Sequence, residues 1–224
     1  MSTIGTSKQT FKIVLIGDTG TGKTSIISKF HKDIFENKTH STIGAEFNSI
    51  PYKTPDGHLI DLHMWDTAGQ ERYRGLVSLY FKKAYLILFV FDISNDTSLK
   101  NIRDWYDIYQ REKEHNLTFN PILILVGNKS DIKKSTEANA NLIESYIKEF
   151  GFIYYETSAR TGENLSELFI SIKDKACADY DKYIKNATTE PNSGDTDDLS
   201  NRRSLIYLNT EIDNYYIKSR CCYF

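Results

Sequence analysis

Three stretches of this chain are apolar without interruption: Ile13 to Ile16, Leu86 to Phe91 and Ile122 to Val126. Runs this short suit strands covered on both faces, as in a parallel sheet packed between helices. Elsewhere the pattern changes to helical spacing. Leu99, Ile102, Tyr106 and Tyr109 recur on one helical face, as do Ile143, Tyr146, Ile147 and Phe150, and then Leu165, Leu168, Phe169 and Ile172. Strand alternating with helix predicts a doubly wound α/β fold. One segment departs from this scheme. Thr54-Pro55-Asp56-Gly57-His58 has the chemistry of a hairpin turn, and beyond it Ile60, Leu62 and Met64 alternate with Asp61 and His63. The expectation is a six-stranded, mostly parallel sheet with one antiparallel edge strand and five helices, ending near Tyr183.

The ends read differently. Residues 1–10 form a short polar arm before a domain expected to span 11–183. From Asn186 to Ser200 the chain is rich in Thr, Asn, Asp, Ser and Gly with no apolar period, which predicts a flexible tail over 184–224. Leu205 to Tyr216 is more apolar, and both a short helix and a docked segment stay open for it.

Composition narrows the function. Apolar residues make up 40% and charged residues 26%, values of a soluble globular protein, and a net charge of −2 argues against nucleic acid as a partner. No run reaches the about 18 apolar residues of a membrane span. The polar start predicts no secretory signal, and Ser2 stands where N-myristoylation needs glycine. Three cysteines fit a cytosolic protein: Cys177 lies in an apolar helical pattern and is expected to be a buried thiol, while Cys221 and Cys222 are adjacent and poorly placed to bridge.

Chemistry enters directly after the first apolar run. Gly17-Asp18-Thr19-Gly20-Thr21-Gly22-Lys23-Thr24, followed by Ser25, has the spacing of a phosphate-binding loop between a strand and a helix. Glycines let backbone N–H groups turn inward around phosphates at a helix N-terminus, where the dipole favours anions. Lys23 is expected to reach the β- and γ-phosphates, and the Thr24 hydroxyl to bind Mg²⁺. The base is addressed by Asn128-Lys129-Ser130-Asp131, at the end of the third run. A carboxylate only accepts hydrogen bonds, and guanine offers paired donors on N1 and N2 where adenine presents a lone pair. Two such bonds to a charged group discriminate by about a thousandfold or more. Asn128 would hold the loop, and the Lys129 stem would cover the base.

Trp65-Asp66-Thr67-Ala68-Gly69-Gln70 closes the alternating strand. Asp66 is a candidate Mg²⁺ ligand through water, the Gly69 N–H a contact for the γ-phosphate, and Gln70 the residue that orients the attacking water. Thr42 is a second candidate hydroxyl for the metal, by its position between these motifs. Glu156-Thr157-Ser158-Ala159, with Arg160 next, offers a backbone N–H to guanine O6.

In order and spacing, these stretches from about Thr10 to Lys182 resemble the Ras superfamily of small GTPases. The finer resemblance is to Rab proteins, through Ile43-Gly44-Ala45-Glu46-Phe47, Glu71-Arg72-Tyr73-Arg74-Gly75-Leu76, Tyr80-Phe81-Lys82-Lys83-Ala84 and Phe91-Asp92-Ile93-Ser94. It implies a membrane-anchored switch that cycles between GDP and GTP and regulates vesicle-mediated transport from the cytoplasmic face of an intracellular membrane, with a cytosolic pool. It also implies a monomeric core, Phe35 packed on the guanine, and Ile43, Phe47, Trp65 and Tyr80 presented to effectors. An exchange factor, a GTPase-activating protein, a prenylation escort and a GDP-dissociation inhibitor would complete the set of partners. Cys221-Cys222-Tyr223-Phe224 resembles the doubly prenylated Rab terminus. Residues 183–224 carry five basic and six acidic side chains, so no basic patch supports a single lipid and two are expected.

The chain departs from the family pattern in three respects. Thr19 and Thr21 are larger or more polar than usual, and Thr19 beside the attacking water would slow hydrolysis. Arg160 replaces a lysine, and Lys82-Lys83 replaces the common Arg-Gly. Two other readings compete: a GTP-binding scaffold with little or no hydrolysis, which Gln70 argues against, and a metabolic P-loop kinase, which would not need Asn128 to Asp131.

Overall fold

A computed structural model describes residues 9–32, 42–70, 74–116, 120–132 and 136–189. The sheet and the helices packed on it, the last of them as far as Cys177, belong to one unit. Strands β1 (Gln9–Ile16), β2 (Ala45–Lys53), β3 (Leu59–Thr67), β4 (Leu86–Asp92), β5 (Ile122–Asn128) and β6 (Ile153–Glu156) form one sheet in the order β2-β3-β1-β4-β5-β6. Only the β2–β3 pair is antiparallel. Helices α1 (Lys23–Lys32), α2 (Arg74–Phe81), α3 (Asp96–Lys100), α4 (Ile102–Asn116), α5 (Glu137–Phe150) and α6 (Leu165–Thr189) complete the alternation. The fold class is the expected one.

The continuous apolar runs became the central strands. Every residue of β4 is buried, and Ile13 to Ile16 and Ile124 to Val126 are fully covered. Helical spacing also held: Leu99, Ile102, Tyr109, Ile143, Tyr146, Phe150, Leu165, Leu168 and Ile172 all lie in the core. Trp105, which the apolar spacing had passed over, is fully buried in the same cluster as Phe81 and Tyr109.

Three details differ from expectation. The alternating strand, β3, is not the edge; it lies between β1 and β2, and β2 is the edge. Its polar residue Asp61 is buried nonetheless, because Ser49 Oγ on β2 donates to Asp61 Oδ1 (2.9 Å). The helix expected after β4 is divided at Asn101, whose αR conformation caps α3 while its carbonyl accepts from Trp105 N in α4. Finally, α6 runs six residues past Tyr183, to Thr189. Cys177 in that helix is half-buried and not the core thiol expected, since Ala176 takes the inward position. The turn behaves as its residues dictate: Thr54 N donates to His58 O, Gly57 N to Thr54 O, and His58 N to Thr54 Oγ1.

One strained position also covers a charged group. Lys83, two residues past the end of α2, has φ +57°, a left-handed conformation that disfavours side chains by roughly 1–2 kcal/mol. Its ammonium nitrogen is covered with no hydrogen-bond partner among the described residues, and burial lowers its pKa. Lys83→Gly removes both costs and adds roughly 0.5–1 kcal/mol of backbone entropy to the unfolded chain. A net gain of about 1 kcal/mol is expected, raising the melting temperature by about 2–4 °C. A lower melting temperature would show that the lysine stem makes packing contacts worth more than the strain.

Candidate functional site

Parallel pairing brings the carboxyl ends of five strands to one edge. Leu15 pairs with Asp66, Ile16 with Phe89, Asp92 with Asn128, and Gly127 with Glu156. Ligand crevices of doubly wound sheets form outside such an edge. The phosphate-loop motif, Asp66 to Gln70, Asn128 to Asp131 and Glu156 to Ala159 sit there.

The loop after β1 is drawn tightly against the sheet. Gly17 has φ +140°, and a Cβ there would stand 2.0 Å from the Val90 carbonyl oxygen, so no larger residue fits. Thr19 and Gly20 are exposed, and the Thr21 side chain is buried, its hydroxyl donating to Asp18 O (3.0 Å). Lys23 opens α1 with its side chain folded back over the loop. Its Nζ donates to the carbonyls of Gly17 (2.7 Å) and Asp18 (2.8 Å). Burial pushes the Lys23 pKa down to about 8, against the opposing pull of Asp66 and Asp18. Gly69 lies close on this loop: a Cβ on it would stand 2.4 Å from both the Asp18 carbonyl carbon and the Thr19 nitrogen. Ser25, one residue into α1, is half-buried, and the Gln70 backbone follows Gly69 at the same edge.

Beside Lys23 three oxygens converge. Thr24 Oγ1 donates to Asp66 Oδ2 (2.6 Å), Thr42 Oγ1 donates to the same atom (3.2 Å), and the two hydroxyls are 3.3 Å apart. The other carboxylate oxygen, Asp66 Oδ1, is buried without a hydrogen-bond partner among the described residues. Burial raises the pKa of Asp66, partly countered by Thr24, Lys23 and Thr42. Hard oxygen donors, one of them an orphaned carboxylate atom, suit Mg²⁺, so these residues fit the metal. Thr67 is drawn away from the group, donating to Leu15 O and tying β3 to β1 (2.6 Å).

The second lobe of the edge is built around Asn128. Its Nδ2 donates to Thr21 O (2.9 Å) and its Oδ1 accepts from Ala159 N (3.0 Å), joining three loops through one amide. Asp131 Oδ1 accepts from Ser158 Oγ (2.6 Å), and the exposed Arg160 guanidinium lies 3.8 Å from Oδ2. Ser158 is fixed in turn, because its oxygen accepts from Thr161 N and its own N–H donates to Glu163 O. Lys129 adopts φ +68°, and its Nζ donates to Asp92 Oδ2 (2.7 Å). Burial works against the charged form of Asp92, but the bonds from Lys129 and Ser94 outweigh it and hold its carboxyl below the usual range.

Asp92 was missed by the sequence reading, although it lies within the Phe91-Asp92-Ile93-Ser94 stretch. Asn101 and Trp105, which bind the Asp18 side chain, were also missed and left no local signal. On the neighbouring face Phe47, Trp65 and Tyr80 form the expected ring series. Centroids are 5.2 Å apart for Phe47–Trp65 and 5.5 Å for Trp65–Tyr80. Trp65 is buried in the core cluster and Ile43 is 82% exposed, so the outward part of this surface falls to Ile43 and the half-buried Phe47 and Tyr80. Phe35, Cys221 and Cys222 lie outside the described residues.

The fold and the arrangement of this edge are those of a P-loop nucleotide-binding protein. The sequence profile of the Ras family matches residues 12–178. The Ras-related protein RABF2b of Arabidopsis thaliana is 36% identical over 172 residues, covering 77% of this chain and 84% of the relative. The GTP-binding protein ypt5 of Schizosaccharomyces pombe is 36% identical over 165 residues, covering 73% and 76%. The Ras-related protein Rab-8A of Rattus norvegicus is 33% identical over 183 residues, covering 82% and 86%. The chain belongs to the Ras family, and within it to the Rab-type small GTPases. It binds guanine nucleotide and hydrolyses GTP, and membrane anchoring and a role in trafficking fit that family. Among the described residues no helix is long and apolar enough to cross a membrane.

Proposed function

We propose that residues 17–24 cradle the nucleotide phosphates, that Asp131 reads guanine while Lys129 covers it, and that Gln70 orients the water attacking the γ-phosphate. One observation carries this reading: Thr24, Thr42 and Asp66 oxygens converge beside the buried Lys23 ammonium, on three separate segments. Thr24 and Thr42 would hold Mg²⁺ directly and Asp66 through water, and the ion would supply positive charge against that of the phosphates. Lys23 supplies positive charge to the β- and γ-phosphates. The Gly69 N–H meets the γ-phosphate, so segments around Thr42 and Gly69 are held in the triphosphate form and released after hydrolysis.

No arginine of the described residues is placed to stabilise the developing charge, so hydrolysis by the chain alone is slow. An arginine supplied by an activating protein is worth about 10³–10⁵ in rate. Phe35 packs on the base, an exchange factor resets the GDP form, and effectors bind Ile43, Phe47 and Tyr80. Cys221 and Cys222 carry the lipids that hold the chain on the cytoplasmic face of an intracellular membrane, where it directs vesicle transport.

Single-turnover hydrolysis tests the catalytic part. Wild type is expected to convert bound GTP slowly and only with Mg²⁺, and Gln70→Leu to slow it at least about tenfold with nucleotide affinity preserved. Equal rates in the two proteins would remove Gln70 from the mechanism.

A further inference from the structure

An acidic side chain inside a loop that receives phosphates is a physical problem. Backbone amides and the α1 dipole make this loop attractive to anions, and a carboxylate on it works in the opposite direction. Asp18 occupies that position, and its charge is taken elsewhere. Its Oδ2 accepts from Asn101 Nδ2 (2.7 Å) and its Oδ1 from Trp105 Nε1 (2.9 Å). Both donors belong to the junction between α3 and α4. Asn101 caps α3, and its carbonyl receives the Trp105 N–H, so the two donors are fixed relative to each other. Trp105 is fully buried in the cluster that also holds Val77 and Phe81 of α2.

The main chain of the same residue supports the binding elements. Asp18 O accepts from Lys23 Nζ (2.8 Å) and from Thr21 Oγ1 (3.0 Å). The Asp18–Thr19 peptide is also the surface on which Gly69 rests, too close for any side chain at that position. A main-chain shift at Asp18, once its side chain lost these anchors, would displace the carbonyl under Lys23 and the seat of Gly69 together.

We propose that Trp105 and Asn101 are positioning residues for nucleotide binding: they pin the Asp18 carboxylate against the α3–α4 junction, which keeps its charge off the phosphates and fixes the peptide beneath Lys23 and Gly69. The role rests on residues 17–24 being the phosphate cradle. It links the core around α2 and α4 to the loop through one carboxylate, with no contact between Trp105 and the nucleotide required.

The test is the dissociation rate of a fluorescent GDP analogue from the full chain. Hydrogen bonds to a charged group are strong enough that Trp105→Phe and Asn101→Ala should each speed release about tenfold. A Phe ring keeps most of the buried volume, and Asn101→Ala carries the test alone if the Phe variant does not fold. Packing effects are separated by a double-mutant cycle. In an Asp18→Ala background, where there is no carboxylate to hold, neither substitution should change the rate further. Release within about twofold of wild type for both single variants would overturn the proposal. So would the same acceleration persisting without Asp18, since that assigns the effect to packing. Lys23→Ala is measured in parallel to test the cradle itself. Binding lost there but unmoved by Trp105→Phe and Asn101→Ala sinks only the positioning role; binding unmoved by Lys23→Ala sinks the cradle with it.

Discussion

Asp131→Asn is expected to lower GDP and GTP affinity about a thousandfold or more and to make xanthine nucleotides the preferred ligands. The structure explains why the exchange should invert the preference and not merely weaken binding. Ser158 Oγ already accepts from Thr161 N (3.1 Å), so its own hydrogen points to Asp131 Oδ1 (2.6 Å). An acceptor is required at that spot. The amide of the variant must keep its oxygen there and turn its NH₂ to the place of Oδ2, where the neighbouring Arg160 guanidinium offers it nothing to bind. That NH₂ would oppose a donor of guanine, whereas xanthine carries a carbonyl in place of the 2-amino group and accepts from it. Competition titrations with GDP and XDP read the change directly. Unchanged GDP affinity would remove Asp131 from base recognition and leave the guanine preference without a source.

Those motifs were legible because their chemistry is local. Glycine spacing and one lysine in residues 17–24 fix a loop with little help from elsewhere, and uninterrupted apolar runs in β1, β4 and β5 leave few alternatives to buried parallel strands. Alternation was a weaker guide. It marked two unlike faces on β3 but could not say that Ser49 of β2 would cover the polar one, so it pointed to the wrong strand as the edge. What stayed hidden depends on separation. Asn101 and Trp105 reach Asp18 across 83 and 87 positions of sequence, and no periodicity or spacing connects them. Asp92 and Lys129 meet only because β4 and β5 pair in register at their last residues. The break at Asn101 escaped for the opposite reason. A helix of one turn followed by a longer one has the same apolar spacing as a single helix.

Lys23→Ala should reduce nucleotide affinity by two to four orders of magnitude, the about 3–5 kcal/mol lost when one partner of a buried charged pair is removed. Lys23 is also the origin of an expected pH dependence, with opposite signs for two quantities. In the free protein burial sets its pKa at about 8, below the ordinary lysine value. Between pH 8 and the unfolded value, the unfolded chain therefore binds more protons than the folded one, and stability of the free protein rises with pH by at most about 1.4 kcal/mol per unit. Nucleotide affinity moves the other way. Phosphate charge favours the ammonium and restores its pKa on binding, so affinity is full below about pH 8 and falls as the amine deprotonates, by up to about tenfold per unit. GDP titrations and melting curves of the free protein between pH 7 and 9.5 check both slopes, and Lys23→Ala should flatten them. An affinity that holds level or rises across this window would show that the amine is not the phosphate contact, since a neutral lysine would then bind as well as a charged one.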